Sequence, residues 1–135
     1  MKMNQLTPAQ ARESIEKGKI TGQTAGMCPG YAQGNIVILS ENDAIDFRRY
    51  AENNPKPCPI LEIFKTGDPI SHVVAKGADI TKVVPRYRIF HNGEFVDEVD
   101  DITSLWQEDF VTFVFGCSFT FESALIDAGI RMKHI

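Results

Sequence analysis

The sequence predicts an α+β or α/β fold: a mixed β-sheet with flanking helices and one β-hairpin. Three observations predict it. Short apolar runs rich in β-branched and aromatic residues recur at 35–39, 60–64 and 110–115, as buried strands do. Helical patterns with recognisable start signals, at Thr7 and at Ser40, are interspersed with them. Asn92-Gly93 stands between two strand-like runs, 86–91 and 94–99, and that dipeptide is the signature of a two-residue type I′ hairpin turn. A chain of 135 residues is the length of a single domain, 1–135.

Composition bounds the function. The chain is 43% hydrophobic and 24% charged, which is ordinary for a globular protein. With a net charge of −4 and no basic run longer than Arg48-Arg49, it lacks the clustered positive surface that nucleic-acid binding requires. No apolar stretch reaches the roughly 20 residues of a membrane span, and the first residues carry no apolar signal core. Three widely spaced cysteines, Cys28, Cys58 and Cys117, read as free thiols in a reducing compartment. A cytoplasmic location is therefore expected, without nucleic-acid or membrane partners.

Taken in order, the first helix starts at Thr7, with Pro8 in its first position and Gln10 completing a capping box, and stops at Gly18. Residues 21–35 hold four glycines and a proline, which no regular element tolerates, yet they are short of charge. After the strand at 35–39, Ser40 caps a second helix, with Asp43 as its capping-box acid and Ala44, Phe47 and Ala51 on one face. Pro55, Pro57 and Pro59 alternate, which predicts a stiff extended link. The strand at 60–64 leads to a turn at 66–69, and 70–84 carries no clear pattern beyond a strand start at Val83-Val84 that Pro85 interrupts. A short helical piece near 104–108 precedes the strand at 110–115. Gly116-Cys117-Ser118 then forms a strand-to-helix turn, followed by a helix carrying Phe121, Ala124, Leu125 and Ala128 and ending at Gly129. A strand-like start follows at 130–135.

That last turn is the leading candidate for chemistry. Backbone amides at a helix start stabilise negative charge, and a thiol there has its pKa lowered. Cys117, Ser118 and Glu122 are the catalytic candidates; a buried small residue, a helix cap and a dipole-complementing acid are what the same three residues are otherwise. The glycine-rich loop offers Tyr31, Gln33 and Asn35 as uncharged hydrogen-bonding groups for a ligand, or is a structural loop. Arg86, on one strand face with Arg88, can clamp a carboxylate, or pair with Glu94, Asp97 or Glu98 on the partner strand. Lys56, framed by prolines, is the other candidate anchor. His72, His91 and His134 have no metal-ligand spacing, so no metal is expected.

Four stretches in the same order carry a resemblance: 26–39, 54–59, Ala78-Asp79-Ile80 with Pro85-Arg86-Tyr87-Arg88, and Gly116-Cys117-Ser118-Phe119-Thr120-Phe121-Glu122. Together they resemble the hydro-lyase family related to D-glutamate cyclase, over nearly the whole chain from about residue 8. Cys28, Gly34 and Thr120 depart from the family pattern without removing a polar group. The resemblance implies a lyase that removes water from a small amino or hydroxy acid, the precedent being cyclisation of D-glutamate to 5-oxo-D-proline, with no obligatory cofactor. Family members are longer, so it further implies the N-terminal half of a larger fold, completed by self-association or by a separate C-terminal half. The alternative is a truncated or split half that binds ligand or a partner chain and has no activity alone. Reaction chemistry, rather than the family, suggests the roles: the amides of Cys117 and Ser118 as oxyanion site, Glu122 as acid/base, and Arg86 or Lys56 as carboxylate anchor.

Overall fold

The structure, a computed structural model, describes residues 5–24, 26–117 and 128–129. It is α+β. Among the described residues two α-helices, α1 (Pro8–Glu16) and α2 (Glu41–Asn53), accompany five strands: β1 (Gly34–Ser40), β2 (Ile60–Ile63), β3 (Tyr87–His91), β4 (Glu94–Val99) and β5 (Phe110–Gly116). β5 lies between β1 and β2 in one sheet, and β3 and β4 form a separate hairpin. All of these pairings are antiparallel.

Period-two alternation in β5 builds the centre. Val111, Phe113 and Phe115 face α2 and pack with Ala44, Ala51 and Phe47, whose ring meets Phe113 edge-on at 5.1 Å. Val114 faces the other way, against Phe64 and Ile80. Gly34 pairs with Gly116, and a side chain at Gly34 would come within 2.8 Å of Val114 Cγ1, so the close approach of β1 to β5 there requires glycine. A third cluster joins α1, through Ala11 and Ile15, to Ile20, Met27 and Cys28 of the glycine-rich loop. That contact docks the otherwise irregular loop.

Local signals are realised where they are strongest. Thr7 and Gln10 form the reciprocal capping box at α1, and Asn92 and Gly93 adopt φ of 51° and 81° in the hairpin turn. Three expectations are corrected. Ser40 occupies the cap position of α2 without bonding its backbone; its hydroxyl instead donates to Asp43 Oδ2 at 3.2 Å, a partner that removes the hydroxyl from the helix amides. Residues 54–59 form a turn rather than an extended link, because Cys58 N–H closes onto the Asn54 carbonyl at 2.9 Å and the φ that proline imposes suits both shapes. Val83 and Val84 start no strand, and β3 begins only at Tyr87, after Pro85 and Arg86. The helix expected after residue 117, and the strand start expected at 130–135, lie outside the described residues apart from Ala128 and Gly129.

Candidate active site

One end of the three-stranded sheet gathers the segments singled out from the sequence. The C-terminal end of β5 sits between the start of β1 and the start of β2, as the antiparallel register requires. Gly116 N–H donates to the Pro59 carbonyl at 3.0 Å, and Cys117 Sγ lies 3.5 Å from the Gln33 carbonyl. The glycine-rich loop and the 54–59 turn therefore flank Gly116 and Cys117 on either side. From the hairpin's approach, Arg86 Nε donates to the Thr21 carbonyl at 3.1 Å. Three of the four stretches are thereby joined, across as many as 84 positions in the Cys117–Gln33 contact, and Arg86 ties the fourth to Thr21, just ahead of the first.

Between α1, the glycine-rich loop, the sheet and the 71–88 segment lies an open cleft of about 1140 Å³. Its floor is apolar, with Ile36, Leu61, Phe64 and Val114. Tyr31, Gln33 and Asn35 are on one side, and Arg86 and Arg88 on the other, with Arg12 of α1 also facing it. Among the described lining residues the charged groups are these three arginines and Glu98. The cleft is thus cationic in a chain whose net charge is −4.

The candidate residues differ in what is left for a ligand. Tyr31 is 56% exposed, which leaves its phenol accessible from the cleft. Gln33 has a structural use: it accepts from the Thr24 hydroxyl at 2.9 Å and donates to the Met27 carbonyl at 3.0 Å, cross-linking its own loop. Asn35 shares its strand face with Val37 and Leu39, on the α2 side, so it edges the cleft rather than reaching across it. Lys56 is exposed on the 54–59 turn and does not line the cleft. Arg86 uses Nε on Thr21, which fixes the guanidinium plane while its terminal nitrogens remain suited to bidentate carboxylate binding. Arg88 lies over the Phe95 ring at 5.8 Å; neither arginine forms an ion pair with Glu94, Asp97 or Glu98 among the described residues. Ser118 and Glu122 lie outside the described residues.

Sequence reasoning missed Glu62. The residue is 7% exposed, and its carboxylate accepts from the Ser71 hydroxyl at 2.7 Å and from the backbone N–H groups of His72, Val73 and Val74 at 2.9, 3.3 and 3.0 Å. Burial acts to raise its pKa, but the Val74 and His72 amides, the Ser71 hydroxyl and the Val73 amide together prevail and leave it below the ordinary glutamate value. A carboxylate so fully committed is a weak proton acceptor and a strong structural tie. The one available signal was an acid inside the apolar run Ile60-Leu61-Glu62-Ile63-Phe64, since a charge in a buried strand needs partners. No group of three or more His, Cys, Asp or Glu side chains placed to hold a metal ion occurs among the described residues, and no described helix is long and apolar enough to cross a membrane.

Comparison with known proteins places this arrangement. Residues 111–135, beginning in β5, match the family model described as D-glutamate cyclase. Proteins carrying the name "Putative hydro-lyase" match nearly the whole chain. One from Rubrobacter xylanophilus is 52% identical over 127 residues, covering 94% of this chain and 49% of the relative. One from Clostridium beijerinckii is 45% identical over 135 residues, covering all of this chain and 52% of the relative. YcsI of Bacillus subtilis, which carries the same name, is 47% identical over 130 residues, covering 96% of this chain and 51% of the relative. The chain spans about half the length of these curated relatives. With the family model at β5 and the relatives aligned along nearly every residue, the chain belongs to the hydro-lyase family related to D-glutamate cyclase.

Proposed function

We propose that the cationic cleft binds a small amino or hydroxy acid through its carboxylate, and that the chain contributes this binding wall to a hydro-lyase site. The observation that carries the reading is the sign of the cleft: Arg12, Arg86 and Arg88 against Glu98, in an acidic chain. D-glutamate is the substrate that the family relationship suggests. In its cyclisation the α-ammonium first gives up one proton, the resulting free amine bonds to the γ-carboxyl carbon and gives up a second, and one carboxyl oxygen departs with those two protons as water, leaving the lactam N–H. Such a reaction needs an anchor for the spectator carboxylate, donors for the tetrahedral oxyanion and a proton carrier. Arg86 serves as anchor. The amides of Cys117 and Ser118, which follow β5 in the sequence, serve as oxyanion donors, and Glu122 as proton carrier.

A second reading has its own support. A chain half as long as its relatives can be a ligand-binding half that is inactive until a second copy or a separate chain completes the site. Incubation with D-glutamate, followed by mass spectrometry for the loss of one water, separates the two, with a full-length relative as the positive comparison. Product from this chain supports the lyase reading. Binding without product, where the longer relative turns over, supports the incomplete half. Absence of binding by this chain contradicts both readings as they concern D-glutamate.

A further inference from the structure

Glu62 ties together two parts of the fold that no backbone pairing joins. It sits in β2 at an irregularity, where the register against β5 shifts between Ile60 and Glu62 and leaves Leu61 unpaired. The segment that it holds, 71–78, has no helix or strand of its own. Yet Ser71, Val74, Ala75 and Ala78 line the cleft. This side of the cleft is therefore shaped by irregular backbone, which would be mobile if left to itself.

Four donors converge on the one carboxylate, three of them consecutive backbone amides. Consecutive N–H groups aimed at one point form a nest that calls for an anion. Here the chain supplies that anion internally. Ser71 extends the tie: its hydroxyl donates to Glu62 and accepts from Ala75 N–H at 3.0 Å. Further backbone bonds close the segment, from Ser71 N–H to Ala78 and from Gly77 N–H to Ser71, both at 2.9 Å. The Tyr87 hydroxyl secures its far end by donating to the Ile80 carbonyl.

We propose that Glu62 is a positioning residue for the cleft: its carboxylate holds the 71–78 segment in the shape that ligand binding requires, without touching the ligand. Consistent with that role, Ser71 lines the cleft and Glu62 does not. The ligand part of the proposal rests on the reading of the cleft as a carboxylate-binding site; the structural part stands apart from it. Glutamine at this position would replace one accepting oxygen with an N–H₂ group facing donors, so at least one of these donors loses its acceptor.

The test reads two quantities on the same folded samples. Amide hydrogen exchange at Val73 and Val74 reports on the segment, and calorimetric titration with D-glutamate reports on the cleft. In Glu62→Gln, exchange at these amides is expected to speed up by about tenfold or more, and D-glutamate affinity to fall by about tenfold, while protection in β5 is retained. Ser71→Ala, a milder change that keeps the carboxylate, should show a smaller effect of the same sign, about threefold; it decides the matter if Glu62→Gln does not fold. Unchanged exchange at Val73 and Val74 overturns the proposal, as does faster exchange with unaltered affinity. Failure of the wild-type chain to bind D-glutamate removes that ligand from the proposed function, whereas the exchange result still decides whether Glu62 holds the segment.

Discussion

Truncation of Phe113 to alanine is expected to cost about 3–5 kcal/mol of folding free energy, the range for emptying a buried aromatic site. Phe113 is 1% exposed and sits in the central strand. Its ring meets Phe47 edge-on at 5.1 Å and stacks with Phe115 at 6.2 Å. The cavity would open between α2 and the sheet, where two helix alanines, Ala44 and Ala51, are too small to collapse into it. Against a typical domain stability of about 5–15 kcal/mol, the loss leaves the fold marginal. Phe90, 58% exposed on the hairpin, is the control, and its truncation should cost under about 1 kcal/mol. Urea denaturation of both variants checks the contrast; equal midpoints would place the core elsewhere.

Substitution of Arg86 by glutamine should weaken D-glutamate binding by about 10- to 100-fold, the scale of losing a charge-assisted hydrogen-bonded pair. Folding should change little, since the side chain is exposed and its one hydrogen bond among the described residues is to the Thr21 carbonyl. Lysine at the same position keeps the charge but loses the planar fork, so it should recover only part of the affinity. Lys56→Gln should have no comparable effect, because Lys56 lies outside the cleft. Calorimetric titration of the three variants tests this ordering. Equal losses at positions 56 and 86 would mean that general surface charge, rather than the placed guanidinium, attracts the ligand.

The contrast between Arg86 and Lys56 shows what was legible in the sequence. Both were plausible anchors by residue type, and only the three-dimensional arrangement separates them. Features governed by a few neighbouring residues were readable: the Thr7–Gln10 capping box, the Asn92-Gly93 turn, and the apolar alternation of β5. The stretches carrying the family resemblance were readable too, and the structure adds that three of them are linked through Gly34, Pro59 and Gly116, while Arg86 of the remaining one bonds Thr21 just ahead of the first.

What escaped is non-local. Glu62 contacts amides 10 to 12 positions away, so nothing in its immediate neighbours announces the bond. The segment that it holds has neither period two nor period 3.6, because bonds to Glu62 and Ser71 and local backbone turns, rather than repeated burial, order it. Gln33 carries both of the uses that the sequence left open, since it lines the cleft and is also held within its own loop. Its hydrogen-bonding capacity marked it as a ligand group, while Thr24 and Met27, close in sequence, already engage it. Ser40 shows the same competition on a smaller scale, with Asp43 taking the hydroxyl that a helix cap would use.

The central claim is that a small carboxylate binds in the arginine-lined cleft between the glycine-rich loop and residues 71–88. Its most direct test is a titration of the isotope-labelled chain with D-glutamate, followed by nuclear magnetic resonance at backbone amides and arginine Nε–H groups. Saturable shifts are expected at the side chains of Arg12, Arg86 and Arg88 and at the amides of Tyr31 and Val84, with the separate α2 face around Ile45 and Arg48 silent. Shifts confined to that α2 face, or none at saturating ligand, would contradict it.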